Sequence, residues 1–525
     1  MNRPITPKAT SRKPSPSQIG RPERPRGTTP QPAPNRTAVR RWPDFRLLVI
    51  LLLSAVLGLG FARATPKGAN PDEGAHLEFV RIVATEFRLP ALNVEDRRQK
   101  GFKDANYEAH QAPLYYLLAA PFYRVGEAVD ATNGPTQGAR LLSILIGLAG
   151  TTLIWLLARE MAQGRAGLWV ATTAIAAFLP MRIAVAASVG NDILAEALAT
   201  LSLLLMVRGV RGKWARQDWI WLGLALGVAL LSKQNSILLL PIAFFAILFA
   251  AKRTTPDPSA SGMAADLDLP LFMRSGLTVL GVAALVSGWW FVRNLVLYHD
   301  PLALRVFNEY FLDAPRWESF RAGGFSFQQY LETKVFPTAF ASFWGWFGYL
   351  LPEQANLALG AYGIGPPSHW GYPPKSWLYP ILQELLLVAA LGILVYGIRK
   401  GMLERRRGAP SEGGAGNPET AVGVGLLVAH AVFVFGAFLN FNTTYFQAQG
   451  RYLLPAIAAL ALGMAGGWLE WVRTPALLSA REDYERGMAR ARLWEGIAGW
   501  LIAAAMLVLA LYAYFGVLVP GFAHS

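Results

Sequence analysis

The stretch RLLVILLLSAVLGLGFARA, residues 46–64, decides the fold class. No charged residue lies between Arg46 and Arg63, and as a helix the run is long enough to cross the hydrocarbon core of a bilayer. Only 16% of the chain is charged, against roughly 25% in soluble domains. We therefore predict an all-α polytopic membrane protein. Ten further apolar runs follow near residues 139–158, 166–188, 191–208, 217–233, 235–251, 275–297, 377–398, 420–440, 451–472 and 496–519.

Residues 1–43 differ from the rest of the chain, with ten prolines and ten Lys or Arg residues against one acid, Glu23. Such a segment cannot bury a core, so we predict a disordered basic tail before a membrane domain over residues 44–525. Ala62-Arg63-Ala64 resembles a signal-peptidase site, but the long preceding tail favours an uncleaved first helix. The net charge of +15 does not indicate nucleic acid, because the basic residues lie in tails and loops between apolar runs.

The segment PLYYLLAAPFYRVGE, residues 113–127, decides the sidedness. It is short, begins with proline and carries three tyrosines, which favours a helix lying in the interface over a span. If it does not cross and the tail is cytoplasmic, every short basic loop falls inside, as the positive-inside rule expects. We therefore predict 11 spans, with 12 or 13 through a broken helix as the alternative. Two long loops with interfacial helices, residues 63–138 and 298–376, then lie outside the cytoplasm, and their length indicates folded, functional segments.

The first outside loop contains NPDEGAHLEFVRI, residues 70–82, in which Asp72 and Glu73 are adjacent. Local structure alone explains them: Asn70 suits the N-cap, Pro71 suits the first helical position, and acids in the first turn suit the helix dipole. The alternative is that the two carboxylates carry chemistry.

Other ionisable residues fall on the same side of the membrane, although they are far apart in sequence. Ionisable groups near membrane depth tend to pair or to serve a polar cavity. Carboxylates supply a general base or a metal ligand, and Arg and Lys bind phosphate. Each residue also has a simpler explanation as a helix cap, a snorkelling lysine or part of an interface belt. The acids are Asp72, Glu73, Glu78, Asp104, Glu108 and Asp192, and the bases are His76, His110, Lys233, Arg293, His299 and Arg451.

Several classes of chemistry lack their motifs. The chain has no cysteine, hence no disulfide and no thiolate nucleophile. It has no G-x-x-x-x-G-K-[ST], H-E-x-x-H or G-x-S-x-G pattern. A carboxylate beside phosphate-binding cations instead suits transfer from a phosphate-linked donor.

The order of the motifs resembles the membrane glycosyltransferases of the GT-C superfamily, in particular the protein O-mannosyltransferases and the bacterial aminoarabinose transferases of lipid A. The resemblance covers most of residues 44–460. In that group an Asp-Glu pair in the first outside loop precedes a Pro-Pro-Leu-Tyr-like interfacial helix, which here reads Ala112-Pro113-Leu114-Tyr115 and lacks one proline. The stretches that carry it are PDEGAHLEFVRIVATEFRLP, YEAHQAPLYYLLAAPFY, ARLLSILIGLAG, FLPMRIAVAASVGNDILAEAL, WWFVRNLVLYHDP and QAQGRYLLPA.

The resemblance implies an inverting transfer from a polyprenyl-phosphate-linked sugar to an envelope glycan, glycolipid or protein, outside the bacterial cytoplasmic (inner) membrane. It implies that Asp72 is the catalytic carboxylate of the first loop, which would act as the base that deprotonates the acceptor hydroxyl, with Glu73 beside it. The charges then predict Arg451, Lys233 and Arg293 as phosphate-binding residues. For the sugar or acceptor we predict Glu108, His110, Asp192 and Tyr115. No metal ligand spacing is decisive, so a divalent cation is left open as a cofactor.

Two other functions stay open at this point. A transporter or flippase of polyprenyl-linked glycans would also bind the lipid, but such proteins often show inverted repeats and midplane sites, which the sequence does not show. An oligosaccharide polymerase or ligase would also act outside the cytoplasm, but its sequences generally lack an early Asp-Glu loop.

Overall fold

The structure is a computed structural model that describes residues 44–100, 106–212, 214–252, 267–312, 314–345, 347, 377–407, 418–478 and 484–522. The chain divides into two units at Asp44, and the second unit is Phe45–Ser525. The predicted disordered tail, residues 1–43, lies outside the described residues, as do residues 348–376 of the second long loop.

The second unit is built from helices. In chain order they are α1 (Phe45–Ala64), α2 (Glu73–Glu86), α3 (Val94–Lys100), α4 (Leu114–Val129), α5 (Gly134–Met161), α6 (Ala166–Phe178), α7 (Pro180–Ala186), α8 (Asp192–Gly212), α9 (Arg216–Leu230), α10 (Leu239–Ala250), α11 (Leu269–Tyr298), α12 (Leu304–Tyr310), α13 (Trp317–Ala322), α14 (Phe327–Tyr330), α15 (Phe336–Phe343), α16 (Leu378–Arg407), α17 (Pro418–Thr444), α18 (Ile457–Leu478), α19 (Tyr484–Tyr512) and α20 (Val519–Phe522). Short 3₁₀ helices precede α10 (Gln234–Leu238) and α18 (Gly450–Ala456), and π-helical turns follow α14 (Leu331–Val335) and α19 (Ala513–Leu518).

Within the described ranges, eight helices are long and apolar enough to cross a membrane, or nine if the bent pair α6 and α7 forms one span. The eight are α1, α5, α8, α11, α16, α17, α18 with its 3₁₀ turn, and α19 with its extension. Two shorter apolar helices, Gln217–Leu230 and Gln234–Ala250, coincide with the remaining two predicted runs. The all-α polytopic membrane fold is therefore confirmed, and the number of eleven crossings stays a prediction.

α4 covers the segment predicted to lie in the interface. Its 16 residues rise about 24 Å, which is less than the roughly 30 Å of a hydrocarbon core. One face buries Tyr115, Tyr116 and Tyr123, whereas Leu117 and Val125 on the other face are exposed. The buried face packs against α2, so α4 fixes the helix that follows Asp72.

α6 and α7 are two helices joined at a sharp bend. α6 is buried around its whole circumference, as expected for an apolar helix enclosed by others. The chain then turns by 60° because Leu179 is extended and Pro180 has no N–H to continue the α6 ladder. Arg182 of α7 is held on α8 by a buried ion pair, in which its Nε donates to both carboxylate oxygens of Glu196 at 2.8 Å.

The two long loops pack against each other. A cluster of buried apolar residues takes Leu92 and Ala109 from the first loop and Tyr310 and Phe311 from the second. The Leu92 N–H also donates to the Tyr298 hydroxyl at 2.9 Å. The first loop is therefore anchored to α11 and the second loop, and its polar residues are held in place.

Candidate active site

Asp72 stands immediately before α2, with its backbone in the left-handed region (φ 62°). Asp and Asn are among the few non-glycine residues that tolerate this conformation. The prediction of Asn70 as N-cap and Pro71 as first helical residue is wrong, because the helix begins at Glu73 and Asp72 occupies the cap position. The Asp72 side chain makes no capping hydrogen bond, so its carboxylate is available to other partners.

Arg451 links Asp72 to Asp192. Its Nη2 donates to Asp72 Oδ2, and its Nη1 lies 3.6 Å from Asp192 Oδ2. The Tyr107 hydroxyl donates to the other Asp72 oxygen at 3.3 Å. The Arg451 Nε is buried and has no hydrogen-bond partner in the described part of the chain. One guanidinium therefore bridges two acids that are 120 positions apart in sequence and still has one donor available.

The position of Arg451 depends on the glycine before it. A Cβ added to Gly450 would lie 2.4 Å from the Phe343 backbone nitrogen, a distance that real Cβ atoms do not show. Only glycine allows the Gly450–Ala456 turn to approach α15 this closely, and this approach places Arg451 over Asp72.

Lys233 completes the arrangement. Its ammonium contacts Asp192 Oδ1 and lies 5.6 Å from the centre of the Tyr452 ring. Asn191 holds the start of α8, because its Nδ2 donates to Gln111 Oε1 at 3.1 Å and to the Ser232 carbonyl at 3.0 Å. We refer to Asp72, Arg451, Asp192 and Lys233, whose signs alternate, as the charge cluster. Its side chains are 8–16% exposed.

A pocket lies beside the charge cluster, and we call it the main pocket. Asp192 and Arg451 line it, and α7 forms one wall. The pocket therefore gives a ligand access to both signs of charge. Its lining residues are Asn70, Pro71, His76, Met181, Ala184, Val185, Ser188, Val189, Gly190, Asp192, Phe347, Gln449 and Arg451.

Glu73 is adjacent to Asp72 but points into the protein and is fully buried. Its two oxygens accept hydrogen bonds from Arg140 Nε at 2.7 Å and Nη2 at 2.6 Å. The Gly68 and Val189 N–H groups donate to the same oxygens at 3.0 and 3.1 Å. The two neighbouring carboxylates therefore have different surroundings, since Glu73 is saturated by protein donors.

Glu108 and His110 lie in the loop before α4, close to the charge cluster. Burial raises the pKa of the Glu108 carboxyl above its ordinary value, and the nearby Asp72 carboxylate acts in the same direction. The Glu108 Oε2 is buried without a partner among the described residues. Burial lowers the pKa of His110 to about 4, and its Nδ1 interacts with the Tyr107 carbonyl at 3.1 Å. His110 is therefore neutral at pH 7, and Glu108 is easier to protonate than a free carboxyl.

Tyr115 and Arg293 lie outside the charge cluster. The Tyr115 hydroxyl shares a 2.7 Å hydrogen bond with Ser143, and its ring is fully buried in the cluster between α2 and α4. Arg293 donates to the Pro90 carbonyl at 2.7 Å and lies 4.7 Å from the centre of the Trp290 ring. Both residues hold the first loop in place in this structure, and neither lines the main pocket.

Four residues not chosen from the sequence also belong to this region: Asn70, His76, Tyr107 and Gln449. Of these, only His76 was among the outside bases singled out from the sequence, and no role was assigned to it there. As to metals, the described residues hold no group of three or more His, Asp or Glu side chains able to bind one.

The comparisons with known proteins agree with the resemblance seen in the sequence. The family model for dolichyl-phosphate-mannose-protein mannosyltransferase matches residues 110–273, about a third of the 525-residue chain. This match confirms the resemblance to GT-C membrane glycosyltransferases. A search of curated protein sequences found no match.

Similar solved structures include two of ArnT from Cupriavidus metallidurans. The one bound to undecaprenyl phosphate is 15% identical, with 91% of this chain and 77% of that chain covered and a TM-score of 0.48. The one in the apo state is 16% identical, with 92% and 78% covered and a TM-score of 0.45. The oligosaccharyltransferase AglB from Archaeoglobus fulgidus, in complex with an inhibitory peptide and a dolichol-phosphate, is 15% identical with a TM-score of 0.43. This chain is covered to 88% and spans 56% of that one.

Proposed function

We propose that this chain transfers a sugar from a polyprenyl-phosphate-linked donor to a hydroxyl group of an acceptor outside the cytoplasm. The observation that carries the proposal is the charge cluster beside the main pocket, in which Asp72 pairs with Arg451, and Asp192 pairs with both Arg451 and Lys233. The family match supports the donor class, because its description names a polyprenyl-type phosphate sugar, dolichyl-phosphate-mannose.

Asp72 acts as the general base in this proposal. The acceptor oxygen attacks the anomeric carbon from the face opposite the phosphate, and its proton passes to the Asp72 carboxylate. The bond between the anomeric carbon and the phosphate oxygen breaks, and its electron pair leaves with the polyprenyl phosphate. The sugar is inverted at the anomeric carbon. Base assistance of this kind is worth roughly 10²–10⁴ in rate.

Arg451 and Lys233 stabilise the charge that develops on the leaving phosphate. The Arg451 Nε is a donor without a partner in the part of the chain that the structure describes, so an anion can bind it while Asp192 still holds Nη1. A phosphate on Arg451 also competes with Asp72 for the guanidinium. Donor binding therefore loosens the ion pair that occupies Asp72 and makes the carboxylate available to the acceptor.

The other predicted site residues fall into two groups in this proposal. Asp192 orients the two cations and can accept a hydrogen bond from a sugar hydroxyl, while Glu108 and His110 border the acceptor side as hydrogen-bonding groups. Glu73, Tyr115 and Arg293 are positioning residues, because their contacts hold the loop that presents Asp72.

The setting follows from the predicted topology. We propose that the chain lies in a bacterial cytoplasmic membrane with its N-terminus inside and its charge cluster outside. Lipid-linked donor and acceptor would meet there, the acceptor being an envelope glycan, a glycolipid or a protein.

The test compares Asp72→Asn with Glu78→Gln. Asn tolerates the left-handed backbone at position 72, and Arg451 keeps Asp192 as a partner, so Asp72→Asn should fold. Glu78 is a matched control on the same helix, paired with Arg81 and away from the main pocket. Membrane vesicles that contain each full-length variant are supplied with polyprenyl phosphates linked to a radiolabelled sugar. The amount of label that appears in a new glycoside is then measured.

We expect Asp72→Asn to lower transfer by about 10²–10⁴-fold and Glu78→Gln to leave it unchanged. Normal transfer by Asp72→Asn would remove this residue from the mechanism. Label that crosses the vesicle membrane without forming a new glycosidic bond would identify a transporter instead.

A further inference from the structure

One wall of the main pocket carries hydrogen-bond donors that the charge cluster does not use. Asn70 and His76 both line the pocket and are only 7% and 4% exposed. The Asn70 Nδ2 is buried and has no hydrogen-bond partner among the described residues. The single hydrogen bond of the His76 ring there is made by Nδ1, which leaves Nε2 without one. Buried donors without protein acceptors indicate that a ligand supplies the acceptors.

The His76 ring is held in one orientation. Its Nδ1 lies 2.8 Å from the Tyr116 hydroxyl, and the Tyr116 ring is stacked on Phe79 with centroids 3.7 Å apart and planes 7° apart. The Tyr116 hydroxyl is buried, and His76 is its side-chain partner among the described residues, so its hydrogen finds an acceptor only if the hydroxyl donates a hydrogen bond to Nδ1. The imidazole hydrogen is then on Nε2, which becomes a fixed donor.

Gly190 shows where this donor points. A Cβ added to Gly190 would lie 3.6 Å from His76 Nε2 and 3.4 Å from Cδ2, and Gly190 itself lines the main pocket. The space before Nε2 therefore borders the pocket, and a methyl group on residue 190 would stand in it. An alanine there meets only ordinary van der Waals distances, so it would block the donor without forcing the backbone to move.

We propose that His76 Nε2, assisted by Asn70 Nδ2, donates hydrogen bonds to hydroxyl oxygens of the transferred sugar and so determines which lipid-linked sugar is accepted. This inference rests on the proposed transferase function. Uncharged donors suit uncharged hydroxyl oxygens, whereas the phosphate is served by Arg451 and Lys233. Burial lowers the pKa of His76 below its ordinary value and outweighs the opposing effect of Glu108, Asp72 and Asp192, which keeps the ring neutral.

The experiment separates sugar binding from phosphate binding in the purified full chain. Affinities are measured for bare polyprenyl phosphate and for a panel of the same lipid carrying mannose, glucose or arabinose. The sugar preference is the ratio of the two affinities. The variants are His76→Phe, Tyr116→Phe and Gly190→Ala, and Glu78→Gln is the control. Gly190→Ala leaves the imidazole and its hydrogen bond intact, so it serves even if His76→Phe does not fold.

We expect the wild type to prefer at least one sugar-bearing lipid. His76→Phe and Gly190→Ala should reduce that preference about 3- to 10-fold, the equivalent of one hydrogen bond, with the affinity for bare polyprenyl phosphate unchanged. Tyr116→Phe should reduce it less, because the ring keeps its place but loses its fixed tautomer.

An unchanged sugar preference in Gly190→Ala, or an equal loss of affinity for the bare and sugar-bearing lipids, overturns the assignment of His76 while leaving the proposed function in place. A wild type that binds bare polyprenyl phosphate but prefers no sugar in the panel also overturns it. A wild type that binds no lipid phosphate at all removes both the inference and the proposed function.

Discussion

Replacing Glu73 by glutamine should cost stability, whereas the same change at the adjacent Asp72 should cost activity. Each Glu73 oxygen accepts two hydrogen bonds, one from Arg140 and one from a backbone N–H. A glutamine keeps one such oxygen and turns an NH₂ group toward two donors. It also leaves the buried Arg140 without its counter-charge.

The magnitude follows from what remains around Arg140. Removing one partner of a buried ion pair typically costs about 3–5 kcal/mol. Arg140 still donates to the carbonyls of Ala62 and Thr65 at 2.7 Å and of Pro66 at 3.0 Å, and these partly compensate its charge. We therefore expect the lower end, about 3 kcal/mol, for Glu73→Gln.

The assay is equilibrium unfolding of the purified protein in detergent, run beside transfer activity per folded molecule. Asp72→Asn should lose less than Glu73→Gln, because Arg451 keeps Asp192 as a counter-charge. The double variant Glu73→Met with Arg140→Met should recover part of the loss, since it removes both buried charges. A Glu73→Gln protein as stable as the wild type but inactive would refute this reasoning and make Glu73 a reacting group.

Two further outcomes test the topology and a buried histidine. Because the chain has no cysteine, single cysteines placed at the exposed positions Glu95 and Lys252 can be labelled selectively with a membrane-impermeant maleimide. We expect labelling at position 95 in intact cells and at position 252 only after permeabilisation. The reverse pattern would invert the predicted orientation. His110 has a folded-state pKa of about 4 against an ordinary 6.5, so its contribution to stability is complete above pH 6.5 and is lost as the pH falls toward 4. The thermal unfolding midpoint should therefore fall between pH 7 and pH 5 by less in His110→Gln than in the wild type, and an equal fall in both proteins would contradict this.

The membrane fold was predictable because hydropathy is local. Each apolar run coincides with a helix, and Pro180 gives a local reason for the bend between α6 and α7. For Asp72, Asp192, Lys233 and Arg451, the sequence could predict that they lie on the same side of the membrane, but not that they contact one another. Their actual pairing depends on contacts between segments up to 379 residues apart, which no local pattern encodes.

The difference between Asp72 and Glu73 was not predictable from the sequence. Both carboxylates suit a helix start, and the left-handed backbone at Asp72 depends on how the first loop is anchored. The partner of Glu73 is Arg140, which the sequence places inside an apolar run without indicating its direction. The donors of Asn70 and His76 were missed for a related reason, since an unoccupied hydrogen-bonding atom is a property of the assembled pocket.

The charges of the cluster sum to zero before any ligand arrives, with two acids balanced by two bases. In the proposed reaction a lipid phosphodiester enters with one negative charge, and the spent carrier leaves as a phosphate monoester with about −1.5 to −2 at pH 7. The same cations therefore hold the spent carrier more firmly than the incoming one. After sugar transfer, release of the polyprenyl phosphate product should therefore limit the rate of turnover. Added polyprenyl phosphate should act as a product inhibitor.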